Sequence, residues 1–124
     1  CAANQVLYHL ASRGIEYSLL PWCQSRTVPV MAYCPLAQAG RLRSGLLADA
    51  TVQRIAHDHL ATPAQVLLAW VIHHHGVMAI PKAATIAHVE ENAAALQLTL
   101  TAEDITRLER AFPAPETKIA LDVV

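Results

Sequence analysis

The chain has 124 residues, of which 54% are hydrophobic and only 15% charged, with a net charge of −1 and a pI near 6.7. That length allows one domain with a real core, but a soluble domain averages about 25% charged residues, so part of the apolar surface must be covered by something else. Near-neutral charge offers no electrostatic case for nucleic acid or an anionic membrane, and no uncharged apolar run reaches the roughly 18 residues of a transmembrane span.

Cys1, Cys23 and Cys34 are odd in number and irregularly spaced, which argues against a disulfide framework or a zinc site and suits a reducing, cytoplasmic setting. The first residue is Cys1, with no basic-then-apolar signal pattern after it. A start inside a longer protein is the expectation.

In chain order, 4–7 is a short strand with Val6 and Leu7 suited to burial, and 9–14 is a polar, small-residue connection. Residues 16–26 have helical spacing through Leu19, Leu20 and Cys23, and Pro21 should keep that helix short. The run 30–34, Val-Met-Ala-Tyr-Cys, is near-continuously apolar and fits a strand buried on both faces. From Pro35 to Leu47, Pro, Gly, Arg and Ser mark a long loop, a length associated with function.

Residues 51–59 form a helix with Val52, Ile55 and Ala56 on one side. Thr62-Pro63-Ala64-Gln65 is a strong helix start: a Thr cap, Pro at the first helical position and Gln closing a capping box. That helix runs to His73-His74-His75 and stops at Gly76, where a left-handed residue is wanted. A strand follows at 77–80, then a helix over 86–96 with Val89, Ala93 and Leu96 on one face. Thr101 caps the last helix, with Ile105 and Leu108 inward and Phe112 just beyond, and the tail after Pro113 is irregular.

The segment 77–92 is the most informative. A strand ending in Pro81-Lys82 and turning into a helix at Thr85 sets a point charge beside free N–H groups at the positive end of a helix dipole. Three strands separated by helices argue for parallel βαβ units. Three strands cannot close a barrel and leave two edges bare. An open sheet would expose Val6, Val30, Ala32, Val77 and Ala79 or their strand neighbours, so a homo-oligomer or a missing N-terminal half is the expected partner.

The stretches NQVLYH (4–9), LLPWCQ (19–24), VPVMAYCPLAQAGRL (28–42), ATPAQVLLAWVIHHHGVMAIPKA (61–83), HVEENAAAL (88–96) and LTAEDI (100–105) resemble, in order and over nearly the whole chain, the aldo-keto reductases, most of all the bacterial branch that reduces small aldehydes such as methylglyoxal. The resemblance implies an α/β fold, the C-terminal part of a (β/α)8 barrel with about three βα units, and one partial domain spanning 1–124, since a full barrel takes about 250 residues. It implies an NADPH-dependent oxidoreductase, with NADH possible, acting on small carbonyl substrates.

The resemblance also gives roles to positions. Gln5, at the end of the first strand, matches the glutamine that binds the nicotinamide carboxamide, and Tyr33 the aromatic ring stacked under the nicotinamide. Cys34, Leu36 and Gln38 fall where the family wraps the pyrophosphate, with Cys34 in place of the usual Ser. Lys82 matches the lysine on the 2′-phosphate, and Glu91 and Asn92 the pair on the adenine edge. His88 stands where many members carry Arg, which implies a weaker preference for NADPH over NADH. The family's aspartate, tyrosine, lysine and histidine of catalysis lie before this chain's start, so no catalytic residue is assigned and the isolated chain is expected to be inactive. The alternative is a non-catalytic, oligomerising half-barrel.

Other features have plainer readings. Consecutive helical residues point about 100° apart, so His73, His74 and His75 should not converge on an ion, nor His57 and His59, which lack the spacing of a helical metal motif. No metal is expected. Arg41 and Arg43 read as a solvated loop face, with phosphate contact as the minority alternative, and Trp22 and Trp70 as packing anchors.

Overall fold

A computed structural model describes residues 1–123. Its strands β1 (Asn4–Leu7), β2 (Val30–Tyr33) and β3 (Val77–Ile80) form one parallel sheet in the order β1-β2-β3. The helices are α1 (Leu19–Ser25), α2 (Arg41–Ala48), α3 (Ala50–Asp58), α4 (Pro63–Ile72), α5 (Ile86–Ala94) and α6 (Ala102–Ala111). The register aligns Gln5 with Met31 and Met78, and Leu7 with Tyr33 and Ile80.

Side chains alternate along a strand, so the sheet has two unlike faces. Asn4, Val6, Val30, Ala32, Val77 and Ala79 face the helices, and Val30 and Ala32 are fully buried. The opposite face carries Gln5, Leu7, Met31, Tyr33, Met78 and Ile80, of which Leu7 is buried, Met31 and Tyr33 are half-buried and Gln5, Met78 and Ile80 are exposed. The expectation that β2 is buried on both faces is therefore corrected. Its second face looks toward what would be a barrel interior, and the exposed positions on that face are Gln5, Met78 and Ile80.

Helix α4 is the centre of the core. Val66 through Val71 are all buried, because α4 lies between β3, α3 and α5 and a helix surrounded on every side is apolar all round. Its start is the expected capping box: Gln65 N donates to Thr62 Oγ1 at 3.2 Å and Thr62 N to Gln65 Oε1 at 2.9 Å. Its exit is the expected glycine turn, with Gly76 at φ +76°.

Three expectations change. Residues 16–26 are a short 3-10 turn, Gly14–Tyr17, and then α1. A proline ring clashes with the carbonyl four residues earlier, and four before Pro21 is Tyr17, so the chain breaks at Ser18. The supposed loop 35–47 contains α2, entered through Gly40 at φ +103° and anchored by buried Leu46. The apolar side expected for 86–96 is open: Val89 on α5 and Leu96 on the 3-10 turn that follows it are 55% and 71% exposed, and α5 itself buries no residue. That helix follows β3, a bare sheet edge.

The rings of His73 and His74 lie 3.9 Å apart, both turned back toward the Trp70 carbonyl through Nδ1. The connection 9–14 is largely buried. His9, Leu10, Ser12 and Arg13 are buried, with the Arg13 guanidinium donating to both Glu16 oxygens at 2.7 and 2.8 Å and to the Phe112 carbonyl at 2.5 Å. That tie joins the segment after β1 to the end of α6.

Candidate functional site

Strands β2 and β3 end side by side at Tyr33 and Ile80. A cavity of about 410 Å³ opens there, lined by Tyr33, Cys34, Leu36, Gln38 and Lys82 together with Arg43. In a parallel α/β sheet the carboxyl ends of the strands are where ligands bind. Its wall is a tightly turned loop. Cys34 and Ala37 have φ of +50° and +61°, and Ala37 N donates to the Cys34 carbonyl at 2.8 Å. Leu36 and Ala37 are buried, which fixes the loop from beneath. Among the described residues the lining holds two cations, Lys82 and Arg43, and no carboxylate.

Four other sequence-derived positions fall outside this lining. Gln5 is the second residue of β1, so its placement at the strand end is corrected. It lies on the open face in register with Met31, two residues short of the row that holds Tyr33. His88, Glu91 and Asn92 share one side of α5 at spacings of three and four. Asn92 lines a neighbouring cavity of about 200 Å³ that meets the first at Pro81, whereas His88 is exposed beside the Thr85 cap, which accepts from its backbone N–H at 3.2 Å. The Glu91 carbonyl accepts from Gln65 Nε2 at 3.1 Å, which ties α5 to α4.

Arg43 is the lining residue that reading the sequence as a loop placed in solvent. The signal was there in a different frame. Once 41–48 is helical, Arg43, Leu46 and Leu47 fall on one side, and Leu46 is buried. A wider cavity of about 550 Å³ between α3 and α6 is lined by Arg54, Arg107 and Arg110. Arg54 and Arg107 already pair with Asp58 and Glu103 within their own helices, so it is the less suited of the two for an anion. Among the described residues no group of three His, Cys, Asp or Glu side chains is placed to hold a metal, and no helix is long and apolar enough to cross a membrane.

The profile of the Aldo/keto reductase family matches residues 1–112. The chain belongs to this family. It is 67% identical over 124 residues to the methylglyoxal reductase YeaE of Escherichia coli (strain K12), covering all of this chain and 44% of that protein. The crystal structure of an aldo-keto reductase from Klebsiella pneumoniae in complex with NADPH superposes with a TM-score of 0.95 at 61% identity, again over the whole of this chain and 44% of that one. A thermostable aldo-keto reductase, Tm1743, solved with the inhibitor epalrestat, gives a TM-score of 0.77 at 36% identity over 87% of this chain and 39% of that one. The chain thus spans less than half the length of these aldo-keto reductases. Its open three-stranded sheet is part of a (β/α)8 barrel.

Proposed function

We propose that this chain is the cofactor-binding part of an NADPH-dependent reductase that converts small aldehydes and ketones, methylglyoxal among them, to alcohols. The observation that carries this reading is the cavity at the ends of β2 and β3, where an aromatic ring, a tightly turned loop and Lys82 come together without a carboxylate. The name of the Escherichia coli relative and the NADPH held by the Klebsiella pneumoniae structure support it.

In this reading Tyr33 offers its ring to the nicotinamide and Gln5 its amide to the carboxamide. Cys34, Leu36 and Gln38 wrap the pyrophosphate, Lys82 takes the 2′-phosphate, and His88, Glu91 and Asn92 hold the adenine end. The bound cofactor supplies a hydride. Protonation of the resulting oxyanion needs a donor, and among the described residues neither Tyr8 nor Tyr17 is placed to be one. The Tyr8 hydroxyl is raised well above its usual pKa by burial and by the adjacent Glu16 charge, to which it donates at 2.8 Å. Tyr17 is exposed on the 3-10 turn, outside the cavity lining. The general acid therefore belongs to the remainder of the barrel.

Lys82→Ala in the completed barrel tests the cofactor reading. Loss of one charge-assisted phosphate contact, about 1.5–3 kcal/mol, should raise the Michaelis constant for NADPH about tenfold to a hundredfold and leave that for NADH nearly unchanged. Equal effects on both would place Lys82 away from the 2′-phosphate.

A second reading, an oligomerising half-barrel, is favoured by one observation: Met78, Ile80, Ile86, Val89 and Leu96 are all exposed large hydrophobics on or beside β3. Burying such surface is favourable by about 25 cal/mol per Å². The chain alone is expected to sediment as a dimer or larger species, and a Met78→Lys, Ile80→Lys variant as a smaller one. A monomeric mass with a cooperative thermal transition would refute it.

A further inference from the structure

We propose that Arg43, at the start of α2, is the second anion-binding group of the cofactor site and takes the diphosphate bridge, a role separate from that of Lys82. This rests on the cofactor reading above and adds a residue to it. Arg43 is half-buried in the cavity lining, and among the described residues it makes no ion pair or side-chain hydrogen bond. Arg13, Arg54 and Arg107 each have a carboxylate partner; Arg26, Arg41 and Arg110 have none among the described residues, but of the unpaired arginines it is Arg43 that lines this cavity. A partly desolvated guanidinium that shares a cavity lining with a second cation and, among the described residues, with no carboxylate is unfavourable unless an anion arrives.

The position separates the two cations. Lys82 adjoins Pro81, which also lines the cavity of Asn92 on the α5 side. Arg43 comes from α2, the helix that continues the turned loop of Cys34, Leu36 and Gln38. Gly40 at the helix N-cap has no side chain to satisfy the first N–H groups, and among the described residues no side-chain cap is made there, which leaves backbone donors at the end of the helix that carries Arg43. A planar guanidinium suits two oxygens of one phosphate group, whereas an ammonium acts as a point charge. A ligand with two separate phosphate centres matches two cations borne on separate elements.

The two roles predict different selectivities. The diphosphate is common to NADPH and NADH, and the 2′-phosphate is unique to NADPH. Dissociation constants for both cofactors, read from reduced-nicotinamide fluorescence, would be measured on the full chain and on its fusion to the N-terminal remainder of the Escherichia coli relative. Arg43→Ala should weaken NADPH and NADH alike, by about tenfold or more, with partial rescue by Arg43→Lys and an unchanged thermal transition. Lys82→Ala should weaken NADPH alone. Unchanged affinities in Arg43→Ala beside a selective loss in Lys82→Ala would overturn the role of Arg43 and leave the cofactor reading standing. A loss confined to NADPH in Arg43→Ala would also overturn it, by moving Arg43 to the 2′-phosphate. Failure of both unmutated proteins to bind either cofactor would overturn the cofactor reading itself, and this inference with it.

Discussion

The 124-residue chain alone is expected to oxidise no NADPH in the presence of methylglyoxal above background, and its fusion to the N-terminal remainder of the Escherichia coli relative is expected to do so steadily. Two losses act together in the isolated chain. A positioned general acid contributes about 10²–10⁴-fold to a step that leaves an oxyanion, and the Tyr8 proton is held by burial and by Glu16. The open face of Gln5, Met31, Tyr33, Met78 and Ile80 also lacks a facing wall, so water reaches the carbonyl site and weakens every electrostatic contact there. NADPH absorbance followed with and without aldehyde checks both proteins. Aldehyde-dependent oxidation by the chain alone would mean that a proton donor lies within these residues. A folded fusion that binds NADPH and stays inactive would mean that this chain does not serve the reaction.

Much of the barrel segment was legible in the sequence because local chemistry marks its ends. Thr62-Pro63-Ala64-Gln65 reads as a helix start from four letters, and Gly76 reads as a stop, since both satisfy backbone groups within a few residues. Helix α2 was hidden because its order comes from a distant contact, the burial of Leu46, while Gly45 and two arginines blur the apolar spacing. The same mistake hid Arg43, which faces the cavity only if 41–48 is a helix. Tyr33 and Lys82 both line one cavity, and the apolar runs before them mark the strand ends at which they stand. Gln5 was put at its strand's end, two residues too far along, because β1 runs on through Val6 and Leu7. The exposed side of α5 shows the limit of such reading: an apolar stripe says that a surface is meant to be covered and says nothing of whether the cover belongs to the same chain.

Trp70→Ala is expected to have the largest effect on stability of any single change considered. Trp70 is fully buried on α4, with ring centroids of Tyr8 and His74 at 5.5 and 5.1 Å and the Arg13 guanidinium carbon 5.1 Å from its own. Truncating such a ring costs about 3–5 kcal/mol through lost burial and the cavity left behind. Domains have about 5–15 kcal/mol in total, and a sheet with one open face lies toward the lower end, so Trp70→Ala should lose its cooperative urea transition. Trp70→Phe separates packing from polarity. Among the described residues the buried indole Nε1 has no hydrogen-bond partner, and an unsatisfied buried donor costs about 1–3 kcal/mol. Removing that N–H offsets much of the smaller ring's packing loss, so Trp70→Phe should stay within about 1 kcal/mol of the parent. A phenylalanine variant as unstable as the alanine one would show that the N–H is bonded in solution. A stable alanine variant would show that α4 is held to the sheet by its aliphatic neighbours, Val66, Leu67 and Val71, with the Tyr8, Arg13 and His74 group as a dispensable attachment.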